Sequence, residues 1–122
     1  MDAADSRRAA VALGVAGEDQ VALALQDDGW TVRDRNCHCG GGELDLVVER
    51  DGHIQFIEVK TRAAGDPVSE EAVNRTKRRK LTRAAEAWLA KYSGPFSSAI
   101  FTVAMVEGAA ITWYNDAFDA EY

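Results

Sequence analysis

Apolar and polar residues alternate most regularly in the middle of the chain, on both sides of the pair Asp51-Gly52. The flanking segments, residues 42–50 and 53–62, are rich in Val, Ile, Leu and Phe. An Asp-Gly pair between such segments is a strong hairpin signal, because both central residues of a type I′ turn need a positive φ. The pattern therefore predicts a β-hairpin closed by a tight turn at this pair.

The turn determines which residues of the predicted hairpin face each other. Counting outward from it places Asp45 opposite Glu58, and Glu43 opposite Lys60. Because side chains alternate with a period of two along a strand, these polar residues share one face. The other face is predicted to be apolar and to carry Leu44, Leu46, Val48, Ile57 and Val59.

Asp45 and Glu58 are thus predicted to be directly opposed acids. Opposed Cβ atoms lie about 4.5–5.5 Å apart, where like charges destabilise a sheet. At about 5 Å and an effective dielectric near 20, the repulsion is about 3 kcal/mol. Lys60 can compensate part of it, but Mg²⁺ or Mn²⁺ compensates more, since Mg²⁺ commonly binds one or two carboxylates with waters and phosphates. The alternative is a pair of acids on an exposed strand, or acids moved apart by a bulge, without metal.

The remaining segments predict two helices and three further strands. The helices cover residues 6–28, with Gly29 just past the end, and 69–92, with acids in the first turn. The strands cover residues 30–36, 98–106 and 110–114. The order α-β-β-β-α-β-β, with helices flanking a mixed sheet of about five strands, predicts one α/β domain over residues 1–122.

Glu18 lies at helical spacing with Val21, Ala22 and Leu25, which places a carboxylate on the apolar face of the first helix. Buried acids are rare unless they are paired or bind a metal. Glu18 is therefore a candidate for the same site as the hairpin acids. The alternative is an acid at the helix edge in water.

Positive charge is concentrated in residues 75–83, although the 122-residue chain has a net charge of −6. An acidic chain is not a general nucleic-acid coat protein, so phosphate contacts require a local patch. Helical spacing places Arg75, Arg79, Lys80 and Arg83 opposite an apolar stripe and directs Lys77 toward the sheet. A solvated face is the usual explanation of a charge run. Because this charge run accompanies a pair of acids predicted to bind a metal, nucleic-acid binding is favoured over a solvated face.

The tripeptide Cys37-His38-Cys39 suggests zinc, but structural zinc needs four ligands, and beyond this segment only His53 remains. Two free cysteines in a cytoplasmic protein are the simpler interpretation. The following run Gly40-Gly41-Gly42 is expected to be flexible and to let backbone or a ligand approach Asp45.

The N-terminal segment, residues 6–17, superficially resembles a secretory signal because two arginines precede a mildly apolar run. It lacks a convincing A-x-A cleavage site and continues into an amphipathic helix. No run approaches the ~18 apolar residues of a membrane span. We expect a cytoplasmic protein without a membrane partner.

The hairpin residues carry a resemblance to known proteins. Asp45 followed by Glu58-Val59-Lys60 on the next strand resembles the D…(D/E)-x-K core of the restriction-endonuclease-like nuclease superfamily. More narrowly, the chain is similar to the YraN-like family of small bacterial proteins, which resembles Holliday-junction resolvases. The residues that carry this likeness are Gly17-Glu18, Arg35-Asn36, Gly42-Glu43-Leu44-Asp45-Leu46, Phe56-Ile57-Glu58-Val59-Lys60-Thr61-Arg62, Lys77 and Asn115-Asp116-Ala117-Phe118.

The resemblance implies that this single α/β domain has a restriction-endonuclease-like fold, and it implies metal-dependent hydrolysis of phosphodiester bonds. It implies that Asp45, Glu58 and the carbonyl of Val59 bind Mg²⁺ or Mn²⁺, with Glu18 as an outer ligand. Lys60 then stabilises charge beside the scissile phosphate and lowers the pKa of the attacking water. The nucleic-acid contacts expected are Lys77, Arg75, Arg79, Lys80, Arg83 and Arg62.

DNA is favoured over RNA as the partner, and a homodimer is expected by analogy with resolvases, which cut two strands symmetrically. The chain departs from the family at Phe101-Thr102, where an Asp usually follows the aromatic residue, so the role of that acid does not carry over. The competing class is a nucleic-acid-binding module that keeps the fold without turnover. A third class is a structural or regulatory protein whose acids form ion pairs.

Overall fold

The computed structural model describes residues 16–62 and 74–117 of the chain. The elements are helix α1 (residues 16–27), strands β1 (Thr31–Cys39), β2 (Gly42–Arg50) and β3 (His53–Arg62), helix α2 (Arg75–Lys91), and strands β4 (Ser98–Glu107) and β5 (Ala110–Tyr114). This order confirms the predicted α-β-β-β-α-β-β arrangement. The predicted helix starts at Ser6 and Ser69 both lie outside the described residues.

The five strands form one mixed sheet in the order β1-β2-β3-β4-β5. β3 and β4 are parallel, and the other neighbouring pairs are antiparallel. Parallel neighbours need a long crossover, which here contains α2. The hairpin prediction is confirmed, because Arg50 pairs with His53 and Val47 pairs with Phe56.

Helices cover both faces of the sheet. The core under α1 consists of Val21, Ala22, Leu25, Trp30, Leu46, Val48, Ile57, Ala104 and Val106. The core under α2 consists of Leu44, Val47, Ile54, Phe56, Leu81, Ala84 and Ala85. Burial on both faces explains why the central strands carry consecutive apolar residues. No helix in the part of the chain that the structure describes is long and apolar enough to cross a membrane.

The ends of the helices follow from local capping. After α1, Gly29 has φ 88°, as predicted for a residue just past a helix end, and Trp30 N–H donates to the carbonyl of Leu25 at 3.0 Å. At the start of α2, the Asn74 side chain accepts a hydrogen bond from the backbone N–H of Lys77 at 2.9 Å. The first turn of α2, which begins at Arg75, contains no acid, whereas the predicted acidic turn at residues 69–71 lies outside the described residues.

Two of the three glycines in the run, Gly40 and Gly42, pack against the backbone of α2. β1 continues through the cysteines to Cys39, beyond the predicted end, and Gly40 and Gly41 form its turn into β2 with φ 58° and 82°. A Cβ on Gly40 would stand 2.5 Å from the carbonyl oxygen of Arg83, and one on Gly42 would stand 2.6 Å from that of Lys80. These glycines therefore let the hairpin pack against the backbone of α2.

The predicted alternation breaks at Asp45. Leu46 packs in the core under α1, as expected, but Leu44 packs in the core under α2. Leu44 pairs with Cys37 of β1, directly after Asn36, which has φ 49°. This left-handed residue interrupts the regular pleat of β1 beside Asp45. In both strands, the alternation of side chains between the two faces of the sheet therefore shifts by one residue at this point.

Candidate metal and nucleic-acid site

The site forms where β2 and β3 separate. Backbone pairing between these strands ends at Leu46 and Ile57, and beyond that point the Asp45 carboxylate accepts a hydrogen bond from Val59 N–H at 2.9 Å. A side chain thus replaces a backbone partner. Asp45 and Glu58 come together at this fork.

Glu43 does not face Lys60 across the hairpin, as the register had predicted. Because pairing with β3 has already ended, Glu43 pairs with His38 of β1, and 3.9 Å separate Nε2 of His38 from Oε1 of Glu43. The predicted pairing of Glu43 with Lys60 is therefore not observed.

The environment of Asp45 opposes its negative charge. Burial raises the pKa of Asp45 most, the neighbouring Glu58 raises it further, and the hydrogen bond from Val59 lowers it. Glu18 adds a smaller upward contribution, and the resulting pKa is about 7. Burial and two neighbouring acids therefore disfavour the ionised form of Asp45, which a cation bound at the fork would favour.

Glu58 is nearly enclosed, with 8% of its side chain exposed, and it holds two ammonium groups on one oxygen. Its Oε1 lies 2.5 Å from Nζ of Lys77 and 3.3 Å from Nζ of Lys60. Burial and the adjacent Lys77 lower the pKa of Lys60. Burial is the largest influence on the pKa of Lys77 and lowers it, but the hydrogen bonds to Glu58 and Lys60 and the charges of Glu58 and Asp45 together outweigh burial, so the net shift is upward.

Glu18 reaches the site because α1 packs unusually close to β3. A Cβ on Gly17 would overlap the hydroxyl of Thr61, so only glycine permits this approach. Glu18 is 17% exposed, lies 4.0 Å from Arg35, and is close enough to act on the charge of Asp45. In the sequence analysis, Gly17 appears only as part of the family motif, and this contact was not predicted.

The oxygen donors fit a hard divalent cation. Asp45, Glu58 and the backbone carbonyl of Val59 are the ligand types that Mg²⁺ and Mn²⁺ prefer, with water completing the shell. Within residues 16–62 and 74–117, no three His, Cys, Asp or Glu side chains are already assembled for a metal. The fork therefore offers a two-carboxylate site of the kind that Mg²⁺ uses together with substrate phosphates.

The predicted cationic residues divide into two groups. Arg75, Lys80 and Arg83 are exposed on α2. Arg62 pairs with Glu107 at 2.8 Å, so the fold neutralises part of its charge. Arg79 is half-buried, and its Nε is enclosed without a hydrogen-bond partner among the described residues.

The first turn of α2 is electrostatically unusual. It contains cations, including Arg75 and Lys77, and no acid. The positive end of the helix dipole disfavours each such charge by about 0.3–1 kcal/mol when exposed. Helix stability therefore does not explain the cations, whereas a phosphate or carboxylate partner does. Asn74 stabilises this turn by capping it. An Asn directly before a helical segment is an N-cap signal, which the sequence analysis missed.

Thr102 replaces the acid expected at its position. It is fully buried, and its hydroxyl donates to Oε1 of Gln55 at 2.6 Å. The hydroxyl is thus satisfied within the sheet and supplies no carboxylate to the fork.

The comparisons with known proteins identify the family of the chain. Residues 17–113 match the uncharacterised protein family UPF0102. The chain belongs to this family. It is 37% identical to a UPF0102 protein of Ralstonia pickettii, over 90% of this chain and 92% of that protein. UPF0102 proteins of Nocardia farcinica (42%, over 78% of this chain and 76% of that protein) and Nitratidesulfovibrio vulgaris (42%, over 88% and 84%) are similar too. The predicted likeness to the YraN-like family is confirmed.

Proposed function

We propose that this UPF0102 protein is a metal-dependent nuclease that hydrolyses phosphodiester bonds in DNA. The observation that carries the proposal is the fork between β2 and β3, where Asp45 and Glu58 stand together beside two lysines. An enclosed acid with a raised pKa, near specific charged partners, is typical of functional sites.

In the proposed reaction, Asp45 and Glu58 hold Mg²⁺ or Mn²⁺ with the carbonyl of Val59, and Glu18 adds charge from α1. A cation there supplies Lewis-acid polarisation of the phosphate and a water of lowered pKa. Lys60 donates to the scissile phosphate and stabilises the charge that develops on it. The lowered pKa of Lys60 makes its ammonium a stronger acid and therefore a better donor.

The exposed cations of α2 would bind the nucleic-acid backbone. Arg75, Lys80 and Arg83 lie on the helix that delivers Lys77 to Glu58, so a strand following α2 leads to the acids. Phosphate contacts of this kind position the substrate without reading its sequence. The resemblance to resolvases favours branched DNA and a homodimer that cuts two strands.

One observation favours a second function. Lys60 and Lys77 both form ion pairs with Glu58, as expected for a nucleic-acid-binding module that keeps the fold without turnover. Cleavage separates this function from the first.

The experiment is incubation of the purified protein with linear, branched and single-stranded DNA and RNA in Mg²⁺, Mn²⁺ or EDTA. We expect cleavage in either metal, none in EDTA, and loss of activity of at least about 100-fold in Glu58→Ala and Lys60→Ala, the range for removing a charge-stabilising group. Lys91→Ala, on the last turn of α2, is the matched control. Cleavage by both site variants at the wild-type rate would mean that another site or a contaminant is responsible.

A further inference from the structure

Lys77 stands where a bound cation would be expected. Its ammonium contacts the carboxylate oxygen of Glu58 that Lys60 also contacts, and the charge of Asp45 acts on it as well. Lys77 thus contacts one acid of the fork directly and is close enough for the charge of the other acid to act on it.

The ammonium of Lys77 can also reach a position outside the site. Its side chain is 37% exposed, whereas that of Glu58 is 8% exposed, so the lysine lies at the mouth of the site. It projects from the first turn of α2, on the helix that carries the exposed cations Lys80 and Arg83. A flexible stem of four methylenes lets the ammonium move from the acid to a phosphate outside without any change in the backbone.

We propose that Lys77 occupies the cation position of the fork while no divalent metal is bound, and moves to a nucleic-acid phosphate when metal enters. Lys77 is then a positioning residue that couples the two ligands. The inference rests on the proposed function, because it requires a divalent cation at Asp45 and Glu58.

Two thermodynamic consequences follow. Without nucleic acid, metal must displace the ammonium from Oε1 of Glu58, which weakens metal binding. With nucleic acid, a phosphate offers the ammonium another partner, and metal binds more tightly. Linkage requires that metal tighten nucleic-acid binding by the same factor.

The test is calorimetric titration of Mn²⁺ into wild type, Lys77→Met and Lys91→Met, each with and without a short phosphorothioate-substituted branched DNA. Without DNA, we expect Lys77→Met to bind Mn²⁺ about tenfold more tightly than wild type, about 1.4 kcal/mol. We expect Lys91→Met, which removes the same charge at the far end of α2, to match wild type.

The DNA should tighten Mn²⁺ binding about tenfold in wild type and less than about threefold in Lys77→Met, since most of the coupling is gone. Lys77→Gln, which keeps a polar group, serves if the methionine variant does not fold.

The outcomes separate the inference from the proposed function. Equal Mn²⁺ affinity in wild type and both Lys77 variants, with binding abolished in Asp45→Asn, would overturn the inference and leave the metal site standing. An equal gain in Lys91→Met would show a long-range charge effect and would also overturn it. Absence of Mn²⁺ binding in every variant, with or without DNA, would overturn both.

Discussion

At the scale of single residues, the most informative group is the carboxylate of Asp45. It accepts one backbone hydrogen bond but remains largely enclosed beside two other acids, and its pKa is raised to about 7. A carboxyl group whose pKa is higher in the folded than in the unfolded state destabilises the fold as it ionises. Asp45 is therefore retained at a cost in stability, which favours a functional role.

The substitution Asp45→Asn tests this cost. The amide oxygen can still accept from Val59 while the charge is gone, so we expect the variant to be more stable than wild type in EDTA at pH 8, by about 1–3 kcal/mol. The penalty in wild type is absent below the unfolded pKa near 3.8 and grows as pH rises toward 7. The two melting temperatures should therefore converge at pH 4. Thermal melts from pH 4 to 8 measure the difference.

Metal addition supplies the internal control for this experiment. Mn²⁺ at about 100 times its dissociation constant should stabilise wild type by about 2.7 kcal/mol and should do little for Asp45→Asn. A variant less stable than wild type in EDTA, with no metal response in wild type, would mean that Asp45 pairs with a cation of the protein in a structural role.

At the scale of elements, the site depends on where the two helices lie against the sheet. α1 comes against β3 at Gly17, where a Cβ would overlap the Thr61 hydroxyl, and this contact brings Glu18 to the fork. α2 begins at its cap, Asn74, and brings Lys77 to Glu58 from the opposite face. Each helix therefore delivers one charged side chain to the same point of the sheet.

The approach of α1 can be tested by Gly17→Ala. We expect a decrease in stability of about 1–3 kcal/mol, because the new methyl group overlaps the Thr61 hydroxyl and pushes the helix or the side chain aside. Adding Thr61→Ala removes that hydroxyl and should recover most of the stability, a coupling that urea unfolding of the four proteins in the cycle measures. Additive effects of the two substitutions would show that this contact does not limit the packing of α1.

The exposed face of α2 is tested by replacing Lys80 and Arg83 together with alanine. We expect weaker binding of DNA of every sequence, because phosphate contacts carry no base information. The slope of log affinity against log salt should fall by about one unit for each phosphate that the variant no longer neutralises. Fluorescence anisotropy titrations at several salt concentrations measure both, with Lys91→Ala as the control. Unchanged affinity and slope would identify this face as a solvated surface.

At the scale of the whole molecule, charge is segregated. The chain has a net charge of −6, yet the cations of α2 lie beside the enclosed acids of the fork. A local positive face on an acidic protein attracts anions to that face, whereas the rest of the surface repels them. The fork itself joins α1, β2, β3 and α2, so it exists only when the two cores on either side of the sheet have formed.

The sequence by itself determined the features that depend on near neighbours along the chain. Asp51-Gly52 specified the hairpin turn, and the turn specified the register that brings Asp45 and Glu58 together. Helical spacing also directed Lys77 toward the sheet. These features were predictable because turn chemistry and side-chain periodicity act over a few residues.

Only the tertiary structure decided where β2 and β3 separate and which side chains lie between them. Leu44 changed face, Glu43 paired with His38 instead of facing Lys60, and Lys77 came to share an oxygen of Glu58. The physical reason is that these contacts join elements far apart in sequence, and their geometry is set by how closely each helix can pack on the sheet. That distance depends on the whole core, through contacts such as Gly17 against Thr61, and no local pattern encodes it.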